Sequence, residues 1–140
     1  MYNKILLATD GSENAGRAAK EAADLAVEMS SHVILVYIIN NPPSQSRMVK
    51  ANFDVHSILE EDAKSQIKDT LNIFEANGLP HTLKVAIGDP AAEIIEIAEK
   101  EKAELIIIGS RGLGTIKGVF LGSVSQKVTH NSKCPVMIVK

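Results

Sequence analysis

The chain contains a single cysteine, Cys134, among 140 residues. No internal disulfide is possible, which agrees with a reducing compartment. No apolar run approaches the roughly 18 residues needed to span a bilayer, and the first residues lack the basic-then-apolar pattern of a secretory leader. These absences predict a cytoplasmic protein with no membrane partner. Lysine and arginine never cluster, and the net charge is only −2, so there is no electrostatic footprint for nucleic acid. His32, His56, His81 and His130 are scattered without metal-ligand spacing, so no metal ligand is assigned. No constellation for nucleophilic or acid–base chemistry is recognisable, and Ser12 does not sit in a nucleophile elbow. Repeats, low-complexity segments and linkers are also missing. With 45% apolar residues, residues 1–140 are expected to form one domain with a sizeable core.

What is present is an alternation of short apolar runs with longer segments of helical period. Lys4 to Thr9 reads as a central strand ending at the turn cluster Asp10-Gly11-Ser12. A helix is expected from Asn14 to Met29, where small residues (Ala15, Ala18, Ala19, Ala22, Ala26) suit close packing on a sheet. Val33 to Ile39 is apolar throughout and reads as an interior strand. Asn40 to about Asn52 is polar and aperiodic, as a long loop would be. One helix is expected from about Phe53 to Asn77, closed by Gly78, and Thr82 to Ile87 alternates enough to be an edge strand. Asp89-Pro90 opens the next helix as N-cap and first position. Leu105 to Ile108, a short helix from Ser123 to about Asn131 and a last strand, Val136 to Val139, complete the order βαβαβαβαβ. That order implies an α/β fold: a parallel sheet with right-handed crossovers and helices on both faces.

The chemistry concentrates after the Leu105 strand. Gly109, Gly112, Gly114, Gly118 and Gly122, five of the nine glycines, fall between that strand and the next helix. Ser123 reads as the N-cap and Gln126 completes an S-x-x-Q capping box. A helix start presents unsatisfied N–H groups and partial positive charge, which suits an anion such as phosphate. Gly122 leaves room for its approach, and the Ser123 and Ser125 hydroxyls add donors. A capped helix after a flexible loop would look the same in sequence. This is not a P-loop, because Lys117 precedes Gly118 instead of following it, and Gly112 to Gly118 is one residue too long for the dinucleotide fingerprint.

The spacing that does fit is Gly109, two residues, Gly112, nine residues, then Gly122-Ser123. Together with KILLATDGS, GDPAAEIIEIA, AELIIIGSRG and the terminal CPVMIVK, it resembles the nucleotide-binding branch of the universal stress protein family along nearly the whole chain. The resemblance implies a Rossmann-like single domain with an open parallel five-stranded sheet of order 3-2-1-4-5. It also implies binding of ATP; in slow hydrolysis of that ATP, Asp10 would help to hold Mg²⁺ between its carboxylate and the phosphates. By position, Thr9 and Asp10 match residues that meet ribose and phosphates, and Ile38 matches the adenine-lining position. Gly109, Arg111 and Gly112 match the loop around ribose and phosphates; Gly122, Ser123 and Val124 match the phosphate-binding helix start. Ala8 departs from a proline found in some nucleotide-binding members.

Each of these residues has a plainer reading on its own: Asp10 as a turn cap, Arg111 as a solvated charge, Ile38 as core, and Cys134 as a small buried apolar residue. The resemblance further implies a homodimer that pairs the Val136 to Val139 strands, covering an otherwise open edge. The resulting expectation is a nucleotide-dependent stress-response or signalling switch. The alternatives are a slow ATP-hydrolysing enzyme and a nucleotide-free dimeric scaffold of the same fold. After the first strand the chain has T-D-G-S in place of the S-G-G-x-D-S loop of ATP pyrophosphatases, which argues against a dedicated enzyme of that kind.

Overall fold

The computed structural model describes residues 1–39, 54–111 and 121–140. In chain order the elements are β1 (Lys4–Thr9), α1 (Glu13–Met29), β2 (His32–Ile39), α2 (Val55–Gln66), α3 (Lys68–Ala76), β3 (His81–Ile87), α4 (Pro90–Lys100), β4 (Leu105–Gly109), α5 (Ser123–Asn131) and β5 (Val136–Val139). The strands form one sheet in the order β3-β2-β1-β4-β5, and every neighbouring pair is parallel. The expected fold class and strand order are therefore those observed. The expected Asn40 to Asn52 loop lies outside the described residues.

Strand alternation divides the core between the two sheet faces. Ile5 and Leu7 point to one face, against Ala18, Ala19, Ala22 and Ala26 of α1 together with Ile67 and Phe74. Leu6 and Ala8 point to the other, against Ala91, Ile94 and Ala98 of α4 and Val128 of α5. The alanine stripe of α1 explains how that helix comes so close to β1 and β4: all four alanines are 0% exposed. β1 is covered on both sides, which is why its sequence is a continuous apolar run.

The single helix expected from Phe53 to Asn77 is two helices. Ile67 breaks it, at φ −112° and ψ 21°, while its N–H still donates to the Ala63 carbonyl (3.0 Å) and its carbonyl accepts from Leu71 (3.0 Å). The bend seats Ile67 and Phe74 in the same core. It also brings the Gln66 carbonyl to 3.0 Å from where a Cβ on Gly11 would lie. Gly78 ends α3 in the left-handed region, φ +61°, with Leu79 N–H returning to the Phe74 carbonyl (3.0 Å). Asp89 caps α4 as expected, accepting from Ala92 N–H at 3.0 Å. Cys134 is partly buried, packed beside the second core face, rather than fully buried. His32 Nε2 pairs with Thr82 Oγ1 at 2.8 Å and His81 Nδ1 with the Leu79 carbonyl at 2.8 Å, so both serve the sheet's own surface.

Candidate functional site

β1 lies between β2 and β4, and the chain leaves it in opposite directions: β2 on one side, β4 on the other. Such a reversal opens a crevice beyond the carboxyl ends of the two central strands. Leu7 pairs with Ile107, so Thr9 and Gly109, two residues further along each strand, come out side by side at that mouth.

On the β1 side the turn is tied by its own side chains. Gly11 N–H donates to Thr9 Oγ1 (3.2 Å) and Ser12 N–H to Asp10 Oδ1 (2.9 Å). Ser12 then caps α1, accepting from Ala15 N–H at 3.2 Å. Asp10 is thus a turn-forming residue, as its plainer reading held, and the same turn leaves it half-buried at the strand end. Tyr37, opposite Thr9 on β2, has its phenol pKa raised above 10.0, first by burial and then by the carboxylates of Asp10 and Asp62. Ile38 is half-buried against the second core face, on the sheet side shared with Val124.

On the β4 side, Ser110 is the hub. Its N–H donates to the Val139 carbonyl (2.8 Å), and its carbonyl accepts from Gly122 N–H (2.7 Å). The Ser125 hydroxyl is within 3.0 Å of both the Ser110 and Gly122 carbonyls. Ser125 is 2% exposed, so its proton is shared between these two oxygens inside the protein. The contacts hold the first turn of α5 against the end of β4 and bring Gly122 beside Arg111, whose side chain is exposed. Gly112 lies outside the described residues.

The N-cap of α5 is Gly122, at φ −71° and ψ 161°, and no side chain accepts from its first turn. The expected capping box is therefore absent. Ser123 is the first helical residue, one position too late to cap, and Gln126 instead donates its side-chain amide to the Leu121 carbonyl at 3.2 Å. α1, α2 and α4 each have a capping Ser or Asp. Among the described residues the α5 amides of Ser123, Val124 and Ser125 have no such side-chain acceptor, which is the electrostatic setting for an external anion.

The two flanking glycines have different neighbours. A Cβ on Gly109 would stand 2.2 Å from Asn14 Oδ1 and 3.3 Å from the Asn14 carbonyl, which leaves no room for it. On Gly122 the nearest atoms would be Arg111 Cα and Ser110 O at 3.5 Å, ordinary van der Waals contact. Among the described residues, packing requires glycine at 109 and accommodates a methyl group at 122.

Asn14 is the site residue that sequence reasoning passed over. It was assigned only to a helix start, yet its Oδ1 accepts from Arg111 N–H at 3.1 Å across the crevice, and the residue is 8% exposed. The available signal was an asparagine in the first turn of an otherwise alanine-rich helix, where its side chain competes with helical hydrogen bonding unless it is engaged elsewhere.

An open parallel sheet of this strand order, with a reversal point beside β1 and a glycine-flanked β4–α5 junction, defines a single-domain, doubly wound α/β protein. The universal stress protein family model matches residues 1–140, and the chain belongs to that family. It is 34% identical to the universal stress protein MJ0531 of Methanocaldococcus jannaschii over 141 residues, covering 100% of this chain and 83% of that one. Among solved structures, that of the protein MJ0577 superposes with a TM-score of 0.80 at 34% identity, covering 100% of this chain and 96% of the other. A universal stress protein crystallised in complex with cAMP superposes with a TM-score of 0.73 at 26% identity, covering 99% and 96%.

Proposed function

We propose that this universal stress protein binds ATP in the crevice between β1 and β4, with the phosphates at the start of α5, and acts as a cytoplasmic homodimeric switch. The observation that carries the reading is the pairing of an α5 start without a side-chain cap with a glycine at 122 that packing against the described residues does not require. A cap position with room for alanine among the described residues, left as glycine beside amides that no described side chain caps, matches what a phosphate needs: close backbone approach and N–H donors. The relative crystallised with cAMP supports an adenine nucleotide as the class of ligand.

In this reading Thr9 and Asp10 line the ribose and phosphate region and Ile38 lines the adenine. Gly109, Arg111 and Gly112 form the loop around the ribose and phosphates, while Gly122, Ser123, Val124 and Ser125 form the phosphate end. Arg111 adds charge-assisted bonds to phosphate oxygens. No group of three or more His, Cys, Asp or Glu is placed to hold a metal ion among the described residues. Mg²⁺ entering with the nucleotide would sit between the Asp10 carboxylate and the phosphates. The homodimer pairs β5 strands, covering the edge on which Met137 is 37% exposed. Ligand occupancy draws the β4–α5 junction and the β1 turn onto one molecule, and the surface near β5, tied to Ser110 through Val139, reports it.

Calorimetric titration of nucleotide-stripped protein with Mg·ATP, beside folded Gly122→Ala and Gly122→Val variants, tests the reading. Saturable binding weakened at least about tenfold by the substitutions is expected, the scale of losing one or two charge-assisted hydrogen bonds. Absence of heat from the wild-type protein, or equal affinity in folded variants, would remove the site from α5.

A further inference from the structure

The side-chain amide nitrogen of Asn14 is buried and has no hydrogen-bond partner among the described residues. This cannot be cured by turning the carboxamide over. Arg111 N–H is a donor only, so the oxygen must face it, as it does at 3.1 Å, and the nitrogen with its two N–H bonds is left on the other side. The oxygen is further fixed by its seat over Gly109. A buried donor without an acceptor is costly and uncommon in a folded protein. Asn14 itself stands where the start of α1 meets the end of β4 and Arg111.

Resting on the nucleotide reading above, we infer that Asn14 is a ligand-binding residue whose Nδ2 donates to a phosphate oxygen of the bound nucleotide while its Oδ1 keeps hold of the Arg111 amide. One carboxamide then serves both halves of the site. Its oxygen sets the height of the β4–α5 junction above α1, and its nitrogen supplies a neutral donor opposite the amides of α5. A phosphate oxygen is the acceptor that fits, because the first-turn amides of α5 are donors and Gly122, at their head, lies beside Arg111 Cα. The arrangement also couples occupancy to the loop, since pulling on Nδ2 acts through Oδ1 on Arg111.

The experiment follows the Asn14 side-chain amide pair in ¹⁵N-labelled full-length protein during titration with Mg·ATP and separately with adenosine, the pair being assigned by its disappearance in Asn14→Asp. The expected result is a large shift and slowed exchange of that pair with ATP and little change with adenosine. Calorimetry on Asn14→Ala should show ATP affinity lower by about 10- to 100-fold, the range for a hydrogen bond to a charged oxygen, with adenosine affinity retained. If wild-type protein binds ATP but the amide pair does not move, the inference is overturned while the nucleotide reading stands. Equal weakening of ATP and adenosine in Asn14→Ala also overturns it, leaving Asn14 a support for Arg111 alone. If wild-type protein binds no nucleotide, both fall together. The wild-type titration gives its answer even where Asn14→Ala does not fold.

Discussion

Replacing Gly109 with alanine should destabilise the protein through one identifiable contact, the Asn14 carboxamide. The added Cβ would stand 2.2 Å from Oδ1, 3.2 Å from Cγ and 3.3 Å from the Asn14 backbone carbonyl. The side chain cannot simply swing aside, because Asn14 is 8% exposed and its oxygen holds Arg111 N–H. Overpacking of this kind costs about 1–3 kcal/mol, and stranding the Arg111 amide adds roughly 1 kcal/mol more. The sum of about 2–4 kcal/mol corresponds to a fall of about 6–12 °C in Tm for a chain of this size. Thermal unfolding by circular dichroism, at one protein concentration and without nucleotide, measures it. The double variant Asn14→Ala/Gly109→Ala is the sharper test. With the carboxamide gone, the methyl group has space, so the second substitution should cost less than about 1 kcal/mol on top of the first. Additive costs would show that Gly109 is required for some other reason and would refute the assignment.

Gly122→Ala is expected to change stability by less than about 1 kcal/mol, since a weaker N-cap is offset by a less flexible unfolded chain; a larger loss in urea unfolding would contradict the open position at Gly122. Ser125→Ala should cost about 1 kcal/mol, read as a Tm lower by about 3 °C, because the Ser110 carbonyl keeps its bond from Gly122 N–H. For Tyr37, the folded pKa lies above the unfolded value of 10.0, so its contribution is fully present below pH 10 and is lost as pH rises through the folded pKa. Wild-type stability should therefore fall more steeply than that of Tyr37→Phe above pH 10; parallel profiles would dismiss the raised pKa. Light scattering should give twice the 15.1 kDa chain mass, and Met137→Lys should shift the population toward a single chain; a wild-type species of 15.1 kDa at micromolar concentration would exclude the β5 dimer.

Much of the sheet was legible because its strands are buried on both faces and so appear as unbroken β-branched runs, such as Leu105 to Ile108, bounded by glycine. The helices with strong end signals were equally readable: Asp89-Pro90 begins α4 and Gly78 follows α3. Ile67 was not, since its exit from helical geometry has no proline or glycine to announce it. It follows from tertiary contacts, the shared burial of Ile67 and Phe74 and the approach of Gln66 to Gly11. The α5 cap failed for a related reason. Ser123 and Gln126 satisfy the capping pattern, but Gly122 N–H is drawn to Ser110 O at 2.7 Å, and the helix starts one residue earlier than the local pattern favours, with Gly122 as its N-cap.

The glycine spacing was the most informative feature of the sequence, yet spacing alone treats its members as equivalent, and they are not. Gly109 is small because the protein's own Asn14 occupies the space where its side chain would be. Gly122 is small with only ordinary contacts from the described residues around that space, and in the proposed reading it is the ligand that keeps it bare. A motif residue required by packing fails by unfolding, and one required by a ligand fails by losing affinity while the protein stays folded. The two glycines therefore separate under one pair of assays. Gly109→Ala should move Tm first, and affinity only as a consequence; Gly122→Ala should leave Tm nearly unchanged and lower the affinity for Mg·ATP. If both variants behaved alike in both assays, the division of the β4–α5 junction into an internally braced end and a ligand-facing end would be wrong.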